Sequence, residues 1–225
     1  MTATSARPRA VIIALALVTV TFIVSGAFLG EVFGSSGDSD QTFVAHYASS
    51  RNRGGDIAGA ALLIVAGAAF LVFVAAMRRM LEPVESLAVD LFSQTGLAVA
   101  VLLTLAGSLF ITTPFSIAFG GVFDDTGQFA GGHAAVLPQA ATFIMAFAAM
   151  PMAAFVIVLL TIANRKRMLF PRWHAVLGWV CSALLLLAIS GVAGLALPVW
   201  TAATAIALWR RGDVGLGLDA ARLAE

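Results

Sequence analysis

The residues of this chain able to do chemistry are three histidines, twelve carboxylates, one cysteine, seven methionines and a single lysine, Lys166. Their spacing argues against most of what they could do. A membrane haem needs histidines facing one another inside a bundle. Here His46 and His133 fall at one edge of the apolar runs, His174 at the other, and none at mid-run. Mixed imidazole and carboxylate ligands suit divalent transition metals, and Glu31, Asp38, Asp40, His46, Asp124, Asp125 and His133 share one side. No pair of them has the i, i+4 spacing of a metal-binding helix, and glycines flank them. They read as solvated acidic loops, and no metal ligand is assigned. Met145, Met150 and Met152 around Pro151 could pass a soft metal to Cys181. Spacings of five and two place those sulfurs on different helix faces, so they read as core filler. A lone cysteine supports no disulfide or Cys-based metal site. There is no phosphate-cradling glycine-lysine loop, dinucleotide fingerprint or nucleophile elbow. No catalytic residue and no cofactor is assigned, and enzymatic activity is not expected.

The elements that carry these residues are apolar. The chain is 60% hydrophobic and 11% charged, with a mean hydropathy of +0.98, whereas soluble domains carry roughly 25% charged residues. Lipid must be the solvent for most of its surface. Crossing a hydrocarbon core takes about 20 apolar residues. Six runs approach or exceed that length: Ala10–Phe33, Ile57–Met77, Thr95–Ile117, Ala134–Ala163, Ala175–Val192 and Leu195–Trp209. The expected fold is an all-α polytopic bundle of six transmembrane helices forming one domain over residues 1–225. The fourth run is long enough to tilt, project or kink at Pro151, and the sixth is short, with Pro198 near its start. Gly191-Val-Ala-Gly194 reads as a tight helical hairpin.

Orientation follows from basic residues. With the N-terminus inside, eleven of the 13 Lys and Arg fall on the cytoplasmic side and only Arg51 and Arg53 outside. Two basic against six acidic residues leave −4 outside, and eleven against six leave +5 inside. This is the bias of the positive-inside rule, so both termini are expected in the cytoplasm. A cleavable signal peptide has an apolar stretch of roughly 7–15 residues; the first run is longer and is expected to remain as a span.

The outer loop Glu31–Asp56 begins with Gly34-Ser-Ser-Gly-Asp-Ser-Asp40 and continues through Thr42-Phe-Val-Ala-His-Tyr47, where Phe43 and Tyr47, four apart, predict a short interfacial helix. The loop Phe119–His133 is rich in glycine and turns. His46-Tyr47…Arg51-Asn52-Arg53 running into Gly59-Ala-Ala-Leu-Leu, with Phe70-Leu-Val-Phe73, Met77-Arg-Arg-Met-Leu81 and Phe170-Pro-Arg-Trp-His174…Leu177-Gly-Trp179, resembles a group of uncharacterised six-helix integral membrane proteins of actinobacterial type, catalogued as domains of unknown function. That resemblance implies the six-helix architecture and a bacterial inner (plasma) membrane. It carries no catalytic residues.

Two structural motifs stand out. Gly96, Ala100, Thr104, Ser108 and Thr112 recur every four residues, about 40° apart on a helix. They predict a small-residue ridge for close helix packing, with Gly26…Gly30 or Gly178…Ser182 as partners. A substrate path or an oligomer interface are the other uses of such a stripe. Pro171, Arg172 and Trp173 predict an inner-interface anchor, Pro171 opening the helix, Trp173 at the headgroup boundary and Arg172 facing the anionic leaflet. All acids, bases and histidines fall at run edges or in loops, which disfavours proton or ion coupling, because such transporters keep charge within their spans. The function expected is that of an accessory, interaction or lipid-organising membrane protein, with a small facilitator of neutral or apolar molecules as the alternative. The expected partners are the bilayer and other membrane proteins or further copies of the chain, with no nucleic acid.

Overall fold

The computed structural model describes residues 6–34, 40–81, 87–119, 136–167, 169–187 and 194–222, and every statement below concerns those. They form α1 (Ala6–Gly34), α2 (Asp40–Ala48), α3 (Ser50–Leu81), α4 (Leu87–Phe119), α5 (Val136–Ile144), a π-helical turn (Met145–Ala149), α6 (Met150–Arg167), α7 (Arg172–Leu186) and α8 (Ala196–Arg222). Four segments are long and apolar enough to cross a membrane: Val11–Gly30, Ser50–Leu81, Leu87–Ala118 and Val136–Arg165. Arg172–Leu186 is a shorter apolar helix. The chain is therefore an all-helical membrane-embedded protein among its described residues.

Contacts run in a ring: α1 on α3, α3 on α4, α4 on α5 and α6, α6 on α7, α7 on α8, and α8 back on α1, with α2 lying on α3. Neighbours run antiparallel. Ser25 Oγ donates to Gly59 O at 2.8 Å while Gly55 comes against Phe28, so α1 and α3 pass in opposite directions. Ser182 meets Ala154 O and Gly178 meets Thr161, which sets α6 against α7 in the same way. The axis is filled. Phe73 makes edge contacts with Phe70, Phe92 and Trp200 at centroid distances of 5.5, 6.2 and 6.0 Å, and all four side chains are fully buried. Edge-to-face rings of this kind add to the packing that holds a bundle together in lipid.

The α3–α4 seam is the closest. A Cβ on Gly67 would stand 2.6 Å from Thr104 Oγ1 and 2.8 Å from Ala100 O; one on Gly107 would stand 2.9 Å from Ala60 O; one on Gly96 would meet Val74 at 2.5 Å. Glycines on both helices thus admit the other's backbone. Gly26 and Gly30 face open space, so the ridge on α4 finds its partner in α3 and not in α1 or α7. Of the ridge, Gly96 and Ala100 are buried, Thr104 is half-buried, and Ser108 and Thr112 are exposed. The reason is geometric: a strict fourfold step advances about 40° each time, so the stripe winds off a straight contact line within a few turns. The seam continues through Gly107 instead. The hydroxyls of Thr104, Ser108 and Thr112 donate to the carbonyls four residues earlier, Ala100, Thr104 and Ser108, at 2.9, 2.9 and 2.7 Å, so even the lipid-facing ones are satisfied.

The break in the fourth run lies one turn ahead of Pro151. Pro151 has no N–H to offer the Phe147 carbonyl and its ring crowds it; the π turn Met145–Ala149 widens the helix there, with the Met150 N–H bonding Met145 O. It also corrects the expectation for the methionines. Met145 and Met150 both lie in the core, whereas Met152 faces outward. Gly191–Gly194 falls largely outside the described residues; α8 opens at Ala196 with Pro198 in its first turn, where a missing N–H is harmless.

Candidate functional site

The polar clusters lie at the two ends of the bundle. At the end where α2 lies on α3, α3 begins two turns before the apolar run that defines it in the sequence. Ser49 starts it: its carbonyl accepts the Arg53 N–H at 3.1 Å and its hydroxyl meets the Asn52 N–H at 3.5 Å, a capping arrangement. Arg53 folds back to donate its guanidinium to Tyr47 O and Ala48 O, the last carbonyls of α2, which a cation suits. That stitch lays α2 over the start of α3. Phe43 and Tyr47 turn inward, both buried, with ring centroids 6.2 Å apart.

Under this cover Asp56 is 2% exposed, contrary to the expectation that every charge lies at a run edge or in a loop. His46 Nε2 lies 2.8 Å from Asp56 Oδ2. Asn52 Nδ2 donates to His46 O at 3.2 Å and approaches His46 Nδ1 at 3.4 Å. The network assigns the tautomer: Nε2–H donates to the carboxylate, and Nδ1 accepts from the amide. The His46 ring also meets the Tyr47 ring edge-on at 5.2 Å. A carboxylate that fixes the orientation of an imidazole is the supporting half of an acid–base centre. Among the described residues no group of three metal-binding side chains forms. The described geometry amounts to a clasp that locks α2 on α3. Glu31, Asp38, Asp40, Asp124, Asp125 and His133, the other members of the outer acidic set, have side chains outside the described residues.

Tyr47 reports on the clasp. Burial, and then the nearby negative charge of Asp56, push its phenol well above the usual value of 10.0. The folded state therefore favours the neutral phenol. The stability it contributes is fully present below pH 10 and is lost as pH climbs from there through the raised folded value. Tyr47 is the chain's single tyrosine, so tyrosinate absorbance follows it alone. The native protein is expected to show no tyrosinate at a pH where the denatured chain is half ionised. Normal titration in the folded state would show that Tyr47 is accessible.

At the opposite end, Asn164 closes the α6–α7 connection by accepting from Phe170 N–H at 2.8 Å and donating to Phe170 O at 3.3 Å. Pro171 is the residue before the first turn of α7, its carbonyl accepting the His174 N–H at 3.0 Å. Pro171, Arg172 and Trp173 are exposed. His174, the next residue, is 1% exposed: it stacks on Phe170 at 4.4 Å, and its Nε2 lies 2.8 Å from Thr204 Oγ1. Sequence spacing marks it as an edge residue and misses its burial. The signal available was Thr204, a hydroxyl that, with Thr201, interrupts the apolar part of α8. Nearby, Thr19 Oγ1 and Thr201 Oγ1 join α1 to α8 at 2.7 Å.

His46 lies on α2 against α3, and His174 on α7 against α8. No protein-family profile, curated protein or solved structure matches the chain.

Proposed function

We propose that the protein is a six-span protein of a bacterial plasma membrane, with both termini cytoplasmic, that works without catalysis as an accessory, interaction or lipid-organising subunit. Antiparallel neighbours closing into a ring support six crossings and ends on one side, and α7 and the apolar part of α8, although short, pack into that ring; a thinner local bilayer or a steep crossing accommodates them. The observation that carries the functional part is the aromatic cluster that bridges the ring. Phe73 sits among Phe70, Phe92 and Trp200, where a conduit would need a polar path. The hydroxyls of Thr104, Thr161 and Thr204 turn back on their own helices. Outward, Val101, Phe115, Phe143, Phe147 and Phe155 are all exposed and present an apolar surface for lipid or another membrane protein.

A second reading, a small facilitator of a neutral or apolar molecule, draws on the π turn ahead of Pro151, since interrupted helices line binding cavities in transporters. Mild-detergent purification from the native membrane, with mass spectrometry of what co-purifies, tests the choice. A stoichiometric protein or lipid that survives washing is expected. A chain that emerges bare under every mild condition would overturn the accessory role.

Topology is tested separately by cysteine labelling in a Cys181→Ser background. A cysteine at position 128 is expected to react from outside and one at 166 from inside. The reverse at both sites would refute the orientation.

A further inference from the structure

We propose that Trp200 Nε1 and Thr161 Oγ1, which bracket Gly178 between α6, α7 and α8, hold one internal water that accepts from the indole N–H and donates to the threonine oxygen. Trp200 is 0% exposed, and its Nε1 has no hydrogen-bond partner among the described residues. An indole N–H is a donor only, and buried polar groups are paired as a rule. The rule is stricter in a protein surrounded by hydrocarbon. The neighbouring groups do not supply the acceptor. Thr204 Oγ1 gives its proton to Trp200 O at 2.8 Å and so takes that of His174 Nε2. Ser182 Oγ is turned to Gly178 O and Ala154 O.

Thr161 is different. Its proton goes to Ile157 O at 2.8 Å, which leaves a lone pair with no donor. A Cβ on Gly178 would stand 2.6 Å from Thr161 Oγ1 and 3.8 Å from Trp200 Nε1. A donor without an acceptor and an acceptor without a donor therefore flank the one residue of α7 that has no side chain to separate them. A water accepting from the indole can also donate to the threonine, and a buried water needs such polar partners. It would tie α6 to α8 over Gly178, as the His174–Thr204 bond ties α7 to α8.

The full chain in lipid nanodiscs, isotopically labelled at its indole nitrogens, should give four indole signals for its four tryptophans, with Trp200→Phe identifying the relevant one. The Trp200 proton is expected at a downfield, hydrogen-bonded position with a through-space cross-peak to water. Thr161→Val, which keeps the shape, and Gly178→Ala should each move it upfield and remove that cross-peak. A downfield position without a water peak, moving when the lipid and detergent are fully exchanged, would assign the acceptor to a bound carbonyl, which cannot donate to Thr161, and would overturn the water. An upfield, unbonded position in the parent would overturn it. So would a downfield position that survives Gly178→Ala, is lost in Thr161→Val and shows neither water nor lipid dependence, since that describes a direct Trp200–Thr161 bond. If Gly178→Ala does not fold, the parent spectrum and Thr161→Val decide.

Discussion

Replacing Gly67 by valine is expected to lower the melting temperature of the detergent-solubilised protein more than any other single substitution in the α3–α4 seam. The first added carbon would stand 2.8 Å from Ala100 O and 3.2 Å from the Thr104 amide nitrogen. Those are backbone atoms, so the helices must separate to make room. Overpacking costs typically about 1–3 kcal/mol, and an unyielding neighbour places Gly67→Val at the upper end. Gly107→Val should behave alike, because its Cβ would meet Ala60 O and the Ile64 amide. Thr104→Leu should also destabilise, since Thr104 Oγ1 already fills the notch at Gly67. Ser108→Leu and Thr112→Leu should be nearly silent, because both residues face outward. Thermal unfolding of the five single variants checks the order. Equal losses at Thr104 and Ser108 would mean that a further helix or a second copy covers the outer half of the ridge.

The second large effect concerns the clasp of α2 on α3. His46→Ala withdraws the imidazole that lies 2.8 Å from a carboxylate with 3% side-chain exposure, and a buried charge that loses a hydrogen-bonded partner is costly. Hydrogen bonds to charged groups contribute about 1.5–3 kcal/mol, and losing one here should also loosen α2. Asp56→Asn should cost less, since the amide oxygen can still accept from His46 Nε2–H. It also removes the charge acting on Tyr47, so the tyrosine should titrate lower than in the parent. It should remain above the ordinary value, because burial is the larger cause. Amide hydrogen exchange over residues 40–56 and the tyrosinate titration together distinguish a clasp from an incidental contact. Unchanged exchange in His46→Ala would remove it.

How much of this was visible in the sequence depends on range. The long spans were legible because twenty-odd apolar residues have no other stable setting, and the helix over Asp40–Ala48 showed in the fourfold spacing of Phe43 and Tyr47. The start of α3 was not legible. Arg51, Asn52, Arg53, Gly54, Gly55 and Asp56 look like loop by composition, and they are helical because Ser49 caps them and Arg53 binds the end of α2. That choice is tertiary. Asp56 is buried by the same folding back, so its charge seemed exposed. The seam was half legible: the fourfold ridge starts on it at Gly96 and Ala100, but the contact line follows a mixed three-and-four step through Gly107, and its complementary notch at Gly67 lies on another helix. His174 was taken for an edge residue because it follows Pro171-Arg172-Trp173 directly. One further position around the helix turns it from lipid to core.

The proposed role of partner or lipid organiser, in place of a conduit, rests on the buried aromatic cluster of Phe70, Phe73, Phe92 and Trp200. Stopped-flow permeability of proteoliposomes to a panel of small neutral solutes, read against protein-free vesicles and vesicles carrying Phe73→Ala, tests it most directly. The parent is expected to match the protein-free vesicles for every solute, with any leak confined to the variant. Saturable acceleration of one solute by the parent would contradict the claim and establish the facilitator.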